Sequence, residues 1–200
     1  MVAEPAPGTP LLVLASASPR RARILQELGV PFTMRAANID ESLLPGEDGS
    51  TAAERLARAK ALAVSADEGL PVLAADTIVL CDDDVLGKPV DEEEARAMLR
   101  RLSGRTHEVV TGVCLVSRDQ TRSGVERTLV TLAPLTGHEV AWYVATGEPL
   151  DKAGAYHIGG KGALFIEEIQ GSPSNVAGLP VRLLLQLVRA SGLDLTWPQS

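Results

Sequence analysis

The most unusual local pattern in this chain is the stretch LASASPRR, residues 14–21, in which two arginines follow a serine and a proline. Ser18 is a typical helix N-cap and Pro19 suits the first helical position, so a helix is predicted to begin here. Arg20 and Arg21 would lie in its first turn, where the helix dipole disfavours each cation by about 0.3–1 kcal/mol. A bound anion would offset this cost, because it would meet unpaired backbone amides and both guanidinium groups. The pattern favours an anion site over the alternative, in which both arginines pair with surface carboxylates.

Asp76 is a second candidate for chemistry, because it interrupts the apolar run VLAADTIVL. A carboxylate in the middle of a buried strand needs a cation, a metal ion or several hydrogen-bond donors. The alternative is a structural aspartate that caps a turn beside Thr77. The apolar surroundings favour a functional carboxylate.

Three further charged residues are candidates of less certain meaning. Lys60 lies on the apolar stripe of a predicted helix with Leu56 and Val64, so it either meets a buried partner or extends its ammonium group to solvent. Glu41 follows a predicted strand, and Lys88 lies in a GKP turn. Taken alone, Glu41 is better explained as a solvated loop acid, and Lys88 could be just a turn residue.

The elements that must position these residues follow from periodicity and turn signals. Predicted strands cover 11–15, 32–37, 71–81, 106–117, 126–135 and 164–169, with a hairpin return through VLGKP. Predicted helices include 52–67, with Thr51 and Glu54 as a capping box, and others that begin after Asp91, Thr136 and Pro180. Helices alternate with strands early and strands follow one another later. This order predicts an α/β fold with a mixed twisted sheet and flanking helices.

Composition limits the classes of partner. The net charge of −7 argues against nucleic acid or an anionic membrane as the main partner. Cys81 and Cys114 both lie in apolar runs, which favours buried thiols in a reducing compartment over a disulfide, and the expected location is cytoplasmic. Residues 1–10 are acidic and proline-rich and are predicted to be a flexible tail, followed by one domain over 11–200.

Several motifs together resemble the Maf family of nucleoside triphosphate pyrophosphatases. They span the chain from Leu11 to about Arg189, and their combination is highly specific. In chain order they are LASASPRRARILQELGVPF, NIDES, RLARAKA, LAADTIVL, GKP, LSGRTHEVVTGV, EPLDKAGAY and NVAGLP.

The resemblance implies two lobes around a central cleft, as in the similar inosine triphosphate pyrophosphatases, and release of pyrophosphate from a nucleoside triphosphate. It implies a divalent cation, Mg or Mn, held by Asp76 and Glu41. Asp76 matches the proposed general base of the family, and a carboxylate that holds a metal is a poor base, so these two roles are partly exclusive. The catalytic set that the resemblance implies is Glu41, Lys60, Asp76 and Lys88, and the triphosphate-binding set is Ser16, Arg20 and Arg21.

The expected nucleobase preference rests on three positions, Arg20, Thr77 and Gly159. Arg20 and Thr77 resemble the branch of the family that hydrolyses dTTP and UTP. That branch usually carries AGAYGIQG where this chain reads AGAYHIGG, so Gly159 replaces a glutamine that would help to select the base. A site that lacks this hydrogen-bonding group is expected to show broader or shifted nucleotide preference.

Two further expectations accompany the resemblance. The family expectation is a homodimer, and the apolar surface around Trp142 and Tyr143 suits either an interface or the core. The rival function is a regulator of septum formation that binds nucleotide without turnover. The full set of charged residues argues against this alternative, because binding alone does not need a buried carboxylate facing phosphates.

Overall fold

The structure, a computed structural model, describes residues 9–66, 68–82, 84–118 and 120–195, and it shows a mixed α/β fold. The first eight residues of the predicted tail lie outside the described residues. The strands are β1 (Leu12–Leu14), β2 (Phe32–Met34), β3 (Val72–Cys81), β4 (Asp84–Leu86), β5 (Thr106–Ser117), β6 (Gln120–Leu132) and β7 (Ile166–Gln170). The helices are α1 (Pro19–Glu27), α2 (Gly49–Ser65), α3 (Glu92–Leu102), α4 (Gly137–Ala145), α5 (Pro173–Val176) and α6 (Val181–Ser191).

The strands form one sheet in the order β2-β1-β3-β5-β6-β7, and β4 pairs with β3. β1 runs parallel to β2 and to β3, whereas β4 and β7 run antiparallel to β3 and β6. The predicted mixed sheet with flanking helices is therefore confirmed, as is the predicted hairpin after β3. The described chain divides into two compact units.

The first unit contains the described residues within 1–76, 111–126 and 178–200, and its strands alternate between two apolar clusters. Leu12, Leu14 and Leu73 face one cluster, which α1 and α6 complete. The intervening positions, among them Val13 and Ala74, face the cluster that α2 completes. Successive strand residues point to opposite faces of a sheet, so within this unit the alternate β3 residues Val72 and Ala74 point towards α2.

The second unit contains the described residues within 77–110 and 127–177, and its core is built by α3, α4 and the strands they cover. Tyr143 of α4 packs edge-on against Phe165 with ring centroids 5.2 Å apart. His107 and Tyr156 form a buried pair in which the ring nitrogen Nε2 lies 2.8 Å from the phenol oxygen. Aromatic packing of this kind supplies much of the apolar area of a small core.

The helix caps agree with the sequence prediction at α3 and α4 and differ from it at α2. Asp91 caps α3, and Thr136 with Glu139 forms the predicted capping box of α4. The predicted capping box of Thr51 with Glu54 is not formed, because Asp48 caps α2 instead and accepts from the amides of residues 50 and 51. A charged carboxylate is the stronger acceptor at a helix start, so α2 begins at Gly49, three residues earlier than predicted.

Cys81 and Cys114 are both buried and free, as predicted, and burial raises the pKa of the Cys114 thiol to about 11.

None of the helices in the described part of the chain is long and apolar enough to cross a membrane.

Gly112 of β5 determines how closely α2 approaches the sheet. A Cβ added at this glycine would lie 2.3 Å from the carbonyl oxygen of Ala53 and 2.6 Å from the amide nitrogen of Glu54. Both contacts are to helix backbone, which cannot yield as a flexible side chain does. The absence of a side chain at position 112 therefore allows direct contact between strand and helix.

We expect Gly112→Ala to lower the free energy of unfolding by about 1–3 kcal/mol, because the added methyl group overpacks this contact. The measurement is urea unfolding at pH 7. Gly137→Ala is the matched control, since a Cβ there would meet nothing within 4 Å, and its effect should stay within about 0.5 kcal/mol. Equal stability of the two variants would contradict the close-packing argument.

Candidate active site

Lys60 lies on the face of α2 that packs against the sheet. The buried residues of this helix are Gly49, Ala52, Ala53, Leu56, Ala57, Lys60, Ala61 and Val64. The lysine side chain is only 9% exposed, so the alternative of an ammonium group extended to solvent is wrong. A buried ammonium group requires anionic partners to offset its loss of hydration.

Two carboxylates supply these partners. The Nζ atom of Lys60 lies 2.6 Å from Oδ1 of Asp76 and 2.6 Å from Oε2 of Glu41. Asp76 is buried, with a side chain 10% exposed, whereas that of Glu41 is 55% exposed. The lysine therefore joins a buried carboxylate to one that faces solvent, and we call this group the Lys60 triad.

The register of β3 explains why Asp76 meets this helix. Val72 and Ala74 point towards α2, and Asp76 continues the same alternation two residues further on. The alternative of a structural aspartate that caps a turn is wrong, because residue 76 lies within the strand and forms an ion pair. Asp76 is thus a strand residue whose carboxylate is directed at the Lys60 ammonium group.

The arginines at the start of α1 are held by the loop before them. Arg21 donates from Nη1 to Ser16 Oγ at 3.1 Å and from Nε to the carbonyl oxygen of Gly178 at 2.8 Å. Ser18 is the N-cap residue as predicted, but its side chain forms no cap bond, and its amide instead donates to Ser16 Oγ at 3.1 Å. Ser16 therefore organises both the helix start and one arginine.

The electrostatics of this helix start match the predicted conflict. No acidic residue lies in the first turn of α1. Burial lowers the pKa of the Arg21 guanidinium, the charge of Arg20 lowers it further, and Asp76 and Glu41 partly oppose the shift. An arginine stays protonated in spite of such a shift, so two cations remain beside the positive end of a helix.

We call residues 16–21, which connect β1 to the first turn of α1, the arginine loop. This loop and the Lys60 triad belong to the same unit and to the same region of the sheet. β1 pairs in parallel with β3, with Leu14 opposite Leu73, so Ser16 and Asp76 both follow this paired region. The influence of Asp76 and Glu41 on the Arg21 pKa reflects this proximity. Ligands of α/β proteins typically bind beyond the carboxyl ends of parallel strands.

The Lys60 triad fits a divalent cation that is shared with a substrate. The described residues contain no group of three or more His, Cys, Asp or Glu side chains placed to hold a metal ion. Asp76 and Glu41 offer two carboxylates, and Mg²⁺ is commonly held by one or two carboxylates together with substrate phosphates and water. The donor set therefore suits a hard cation that arrives with an anionic ligand.

The remaining sequence candidates lie in the second unit. Thr77 follows Asp76 on β3 and points to the opposite face, and Lys88 is exposed after β4. Gly159 is exposed, and a Cβ added there would lie 3.3 Å from Nε2 of His157. The two departures from the usual AGAYGIQG pattern, at positions 157 and 159, are thus neighbours in space.

A carboxylate that the sequence analysis did not single out builds the loop around Gly159. Glu148 accepts hydrogen bonds from the hydroxyl of Tyr143 and from the amides of Lys161 and Gly162, at 2.8–3.1 Å. Burial raises the pKa of this carboxyl group, but the donated hydrogen bonds outweigh it and the net shift is downwards. The Tyr143 hydroxyl also accepts a hydrogen bond from the amide of His157. Together these bonds fix both ends of segment 157–162.

His107 is a buried histidine of the second unit that pairs with Tyr156. Burial lowers the pKa of His107 to about 4, so this residue is neutral at pH 7 and bonded to Tyr156.

Comparison with known proteins identifies the family. Residues 11–191 match the family described as "Maf-like protein", and the chain belongs to this family. A protein named dTTP/UTP pyrophosphatase from Anaeromyxobacter sp. (strain Fw109-5) is 53% identical over 191 residues, which cover 93% of this chain and 92% of the relative. A protein of the same name from Myxococcus xanthus (strain DK1622) is 52% identical over 191 residues, covering 95% and 97%.

One solved structure supports the fold. The Ham1 protein of Staphylococcus aureus superposes with a TM-score of 0.50 at 14% sequence identity, covering 90% of this chain and 96% of that chain. At this identity the likeness concerns the fold alone. The predicted resemblance to the Maf family is confirmed.

We expect Lys60→Met to lower the free energy of unfolding by about 3–5 kcal/mol at pH 7, because buried Asp76 would then face Glu41 with no cation between them. Urea unfolding measures the effect, and adding Asp76→Asn should recover part of the loss. Arg96→Met is the control, since it removes only the exposed pair with Glu92 and should cost at most about 1 kcal/mol. A Lys60→Met loss no larger than that of the control would refute a buried ion pair.

Proposed function

We propose that this protein hydrolyses nucleoside triphosphates to the monophosphate and pyrophosphate. The observation that carries the proposal is the Lys60 triad, which places two carboxylates on one buried ammonium group in the same unit as an arginine-bearing helix start. The curated relatives named dTTP/UTP pyrophosphatase support the reaction class. The second candidate, a nucleotide-binding regulator without turnover, is distinguished by experiment below.

The arginine loop would bind the triphosphate. The amides at the start of α1, the guanidinium groups of Arg20 and Arg21, and the hydroxyl of Ser16 are all donors to phosphate oxygens. Arg21 is already held by Ser16 and Gly178, so little side-chain entropy would be lost when it binds an anion. Lys60 and Lys88 would add positive charge for the phosphate oxygens, as the family resemblance implies.

A divalent cation, Mg or Mn, would be held by Asp76 and Glu41. When bound, such a cation neutralises phosphate charge and acidifies a coordinated water molecule. Oxygen atoms of both carboxylates beyond those bonded to Lys60 remain to accept it, and Glu41 is exposed enough to meet a cation that arrives with the substrate. The lysine keeps the two carboxylates close together despite their like charge.

The proposed reaction is an in-line displacement at the α-phosphorus, as the family resemblance implies. A water oxygen attacks the α-phosphorus, the bond to the bridging oxygen of the β-phosphate breaks, and the electron pair leaves on pyrophosphate. The arginines and lysines stabilise the charge that develops on this leaving group. The water loses its proton either to Asp76 or to solvent, and these two routes correspond to the base and the cation-holding roles of this residue.

The homodimer and the cytoplasmic location stay predictions. Trp142 is 42% exposed and Leu164 is 73% exposed, so apolar side chains of the second unit remain open to a second copy of the chain. Two buried free thiols accord with a reducing compartment.

We expect wild-type protein to release pyrophosphate from nucleoside triphosphates in the presence of Mg²⁺ or Mn²⁺, and Asp76→Asn to lower the rate by at least about 100-fold. If Asp76 holds the cation, the variant also needs a higher metal concentration for half its maximal rate. If Asp76 acts as base, the rate falls equally at every metal concentration. Wild-type protein that binds nucleotides but releases no pyrophosphate would favour the regulator instead.

We expect a panel of canonical and modified triphosphates to show a broader or shifted preference than strict dTTP and UTP selectivity, because Gly159 offers no side chain to the base. Gly159→Gln should narrow the preference, although its side chain must displace the imidazole of His157 by a few tenths of an ångström. The ratio of kcat/KM values across the panel is the measurement. Strict selectivity of the wild-type protein for dTTP and UTP would refute the expectation.

A further inference from the structure

Glu41 lies on an irregular segment between β2 and α2 that has little support of its own. Residues 40–46 are all exposed and belong to no helix or strand. Exposed backbone without ladder hydrogen bonds opens readily unless other contacts hold it. The position of the Glu41 carboxylate therefore depends on how this segment is attached to the rest of the protein.

The first attachment is a local turn around Glu41. Oδ1 of Asp40 accepts from the amide of Ser42 at 2.9 Å and from its hydroxyl at 2.6 Å. The turn fixes the direction of the chain on both sides of residue 41. It does not connect the segment to any helix or strand.

The second attachment is Arg55 of α2, which reaches the segment at two points. Its Nη2 atom donates to the carbonyl oxygen of Ser42 at 3.1 Å, one residue beyond Glu41. Its Nε and Nη2 atoms also form a forked ion pair with Glu47, at 2.6 and 2.7 Å. Such two-pronged pairs fix geometry as well as charge.

Glu47 completes the attachment. Its side chain is 6% exposed although its neighbours in the segment are exposed, and its Oε2 atom also accepts from the amide of Leu44 at 3.1 Å. The hydrogen bond from Arg55 is the main cause that lowers the pKa of Glu47, and the same bond raises the pKa of Arg55. Both partners are therefore charged at neutral pH.

We propose that Arg55 and Glu47 form a clamp that positions Glu41 for the reaction, so that the carboxylate stays in place when Lys60 shares or releases it. This inference rests on the proposed function. Arg55 and Lys60 lie on the same helix, so one rigid element holds both the backbone beside Glu41 and the side chain that pairs with it.

The clamp has a specific use during turnover. In the structure Glu41 accepts from Lys60, but a cation or phosphate that enters the site competes for the same carboxylate or the same ammonium group. Without Arg55, the exposed segment would lose its connection to the body of α2 whenever the pair of Lys60 with Glu41 opened. With Arg55 bound to the Ser42 carbonyl, the side chain of Glu41 can change partner while its backbone stays fixed.

The donors of Arg55 support a positioning role. Its Nε and Nη2 atoms are directed at Glu47 and at the Ser42 carbonyl, both in the segment that carries Glu41. Arg58 lies one turn further along α2, is exposed, and donates to the hydroxyl of Ser123. Arg58 is thus a matched control, with the same charge on the same helix but no bond to the segment.

The test compares Arg55→Ala, Arg55→Lys, Glu47→Gln, the double variant Arg55→Ala with Glu47→Gln, and Arg58→Ala. Pyrophosphate release gives kcat/KM and the Mg²⁺ concentration at half the maximal rate. Amide hydrogen exchange of the protein without nucleotide gives the opening of residues 41–47, compared with α6 and β5. Thermal unfolding shows whether each variant remains folded.

We expect Arg55→Ala and Glu47→Gln each to lower kcat/KM by about 10–100-fold and to raise the required Mg²⁺ concentration, as loss of a supporting partner of a metal ligand does. The double variant should be at most about threefold worse than the poorer single variant, because both changes remove the same clamp. Exchange should quicken in residues 41–47 only, Arg55→Lys should recover little since it lacks the fork, and Arg58→Ala should match wild type.

Other results would overturn the clamp. An active wild-type protein whose Arg55→Ala variant matches Arg58→Ala would refute it, and so would losses that multiply in the double variant. Faster exchange throughout α2 and β5 would show general destabilisation in place of positioning. A wild-type protein that releases no pyrophosphate refutes the proposed function, and this outcome is distinct from an active enzyme that tolerates the loss of Arg55.

Discussion

The charge balance at Lys60 is the constraint on which the candidate site depends. Burial of the Lys60 ammonium group on the alanine-rich face of α2 is unfavourable unless anionic groups pair with it. Asp76 and Glu41 each place a carboxylate oxygen 2.6 Å from Nζ. Removal of the lysine would leave the buried Asp76 carboxylate beside Glu41 with no cation to pair with. The three residues come from a helix, a strand and an irregular segment, so this interaction also joins three parts of the fold.

The elements around this interaction are arranged to keep it in place. β3 directs Asp76 towards α2 by the same alternation that buries Val72 and Ala74. Gly112 lets the helix lie directly on β5, which brings the lysine within reach of the strand. On the exposed side, Arg55 and Glu47 hold the segment that carries Glu41. The rigid side of the site is thus built by packing and the exposed side by charged hydrogen bonds.

The sequence revealed those features whose signal is local or that conflict with their surroundings. Ser18 before Pro19 marks the start of α1, because this pair suits a helix start. Asp76 stands out because a carboxylate within an apolar strand needs a partner, and the structure shows that partner to be Lys60. The cap of α2 was misjudged because Asp48, Ser50 and Thr51 all suit a helix start, and only the folded chain shows which one accepts the amides. The pair of Arg55 with Glu47 left no signal, because Glu47 lies just before α2, Arg55 lies within it, and each resembles an ordinary surface charge.

The row of alanines on the buried face of α2 has a consequence for how such a site can change during evolution. Ala52, Ala53, Ala57 and Ala61 set the distance between helix and sheet, and that distance sets how far the Lys60 side chain must reach. A larger residue at any of these positions would lift the helix and withdraw the ammonium group from Asp76. Diversification is therefore more accessible in exposed loops, such as the one around His157 and Gly159, than along this helix. The alanine face therefore fixes the spacing between α2 and the sheet on which the Lys60–Asp76 pair depends.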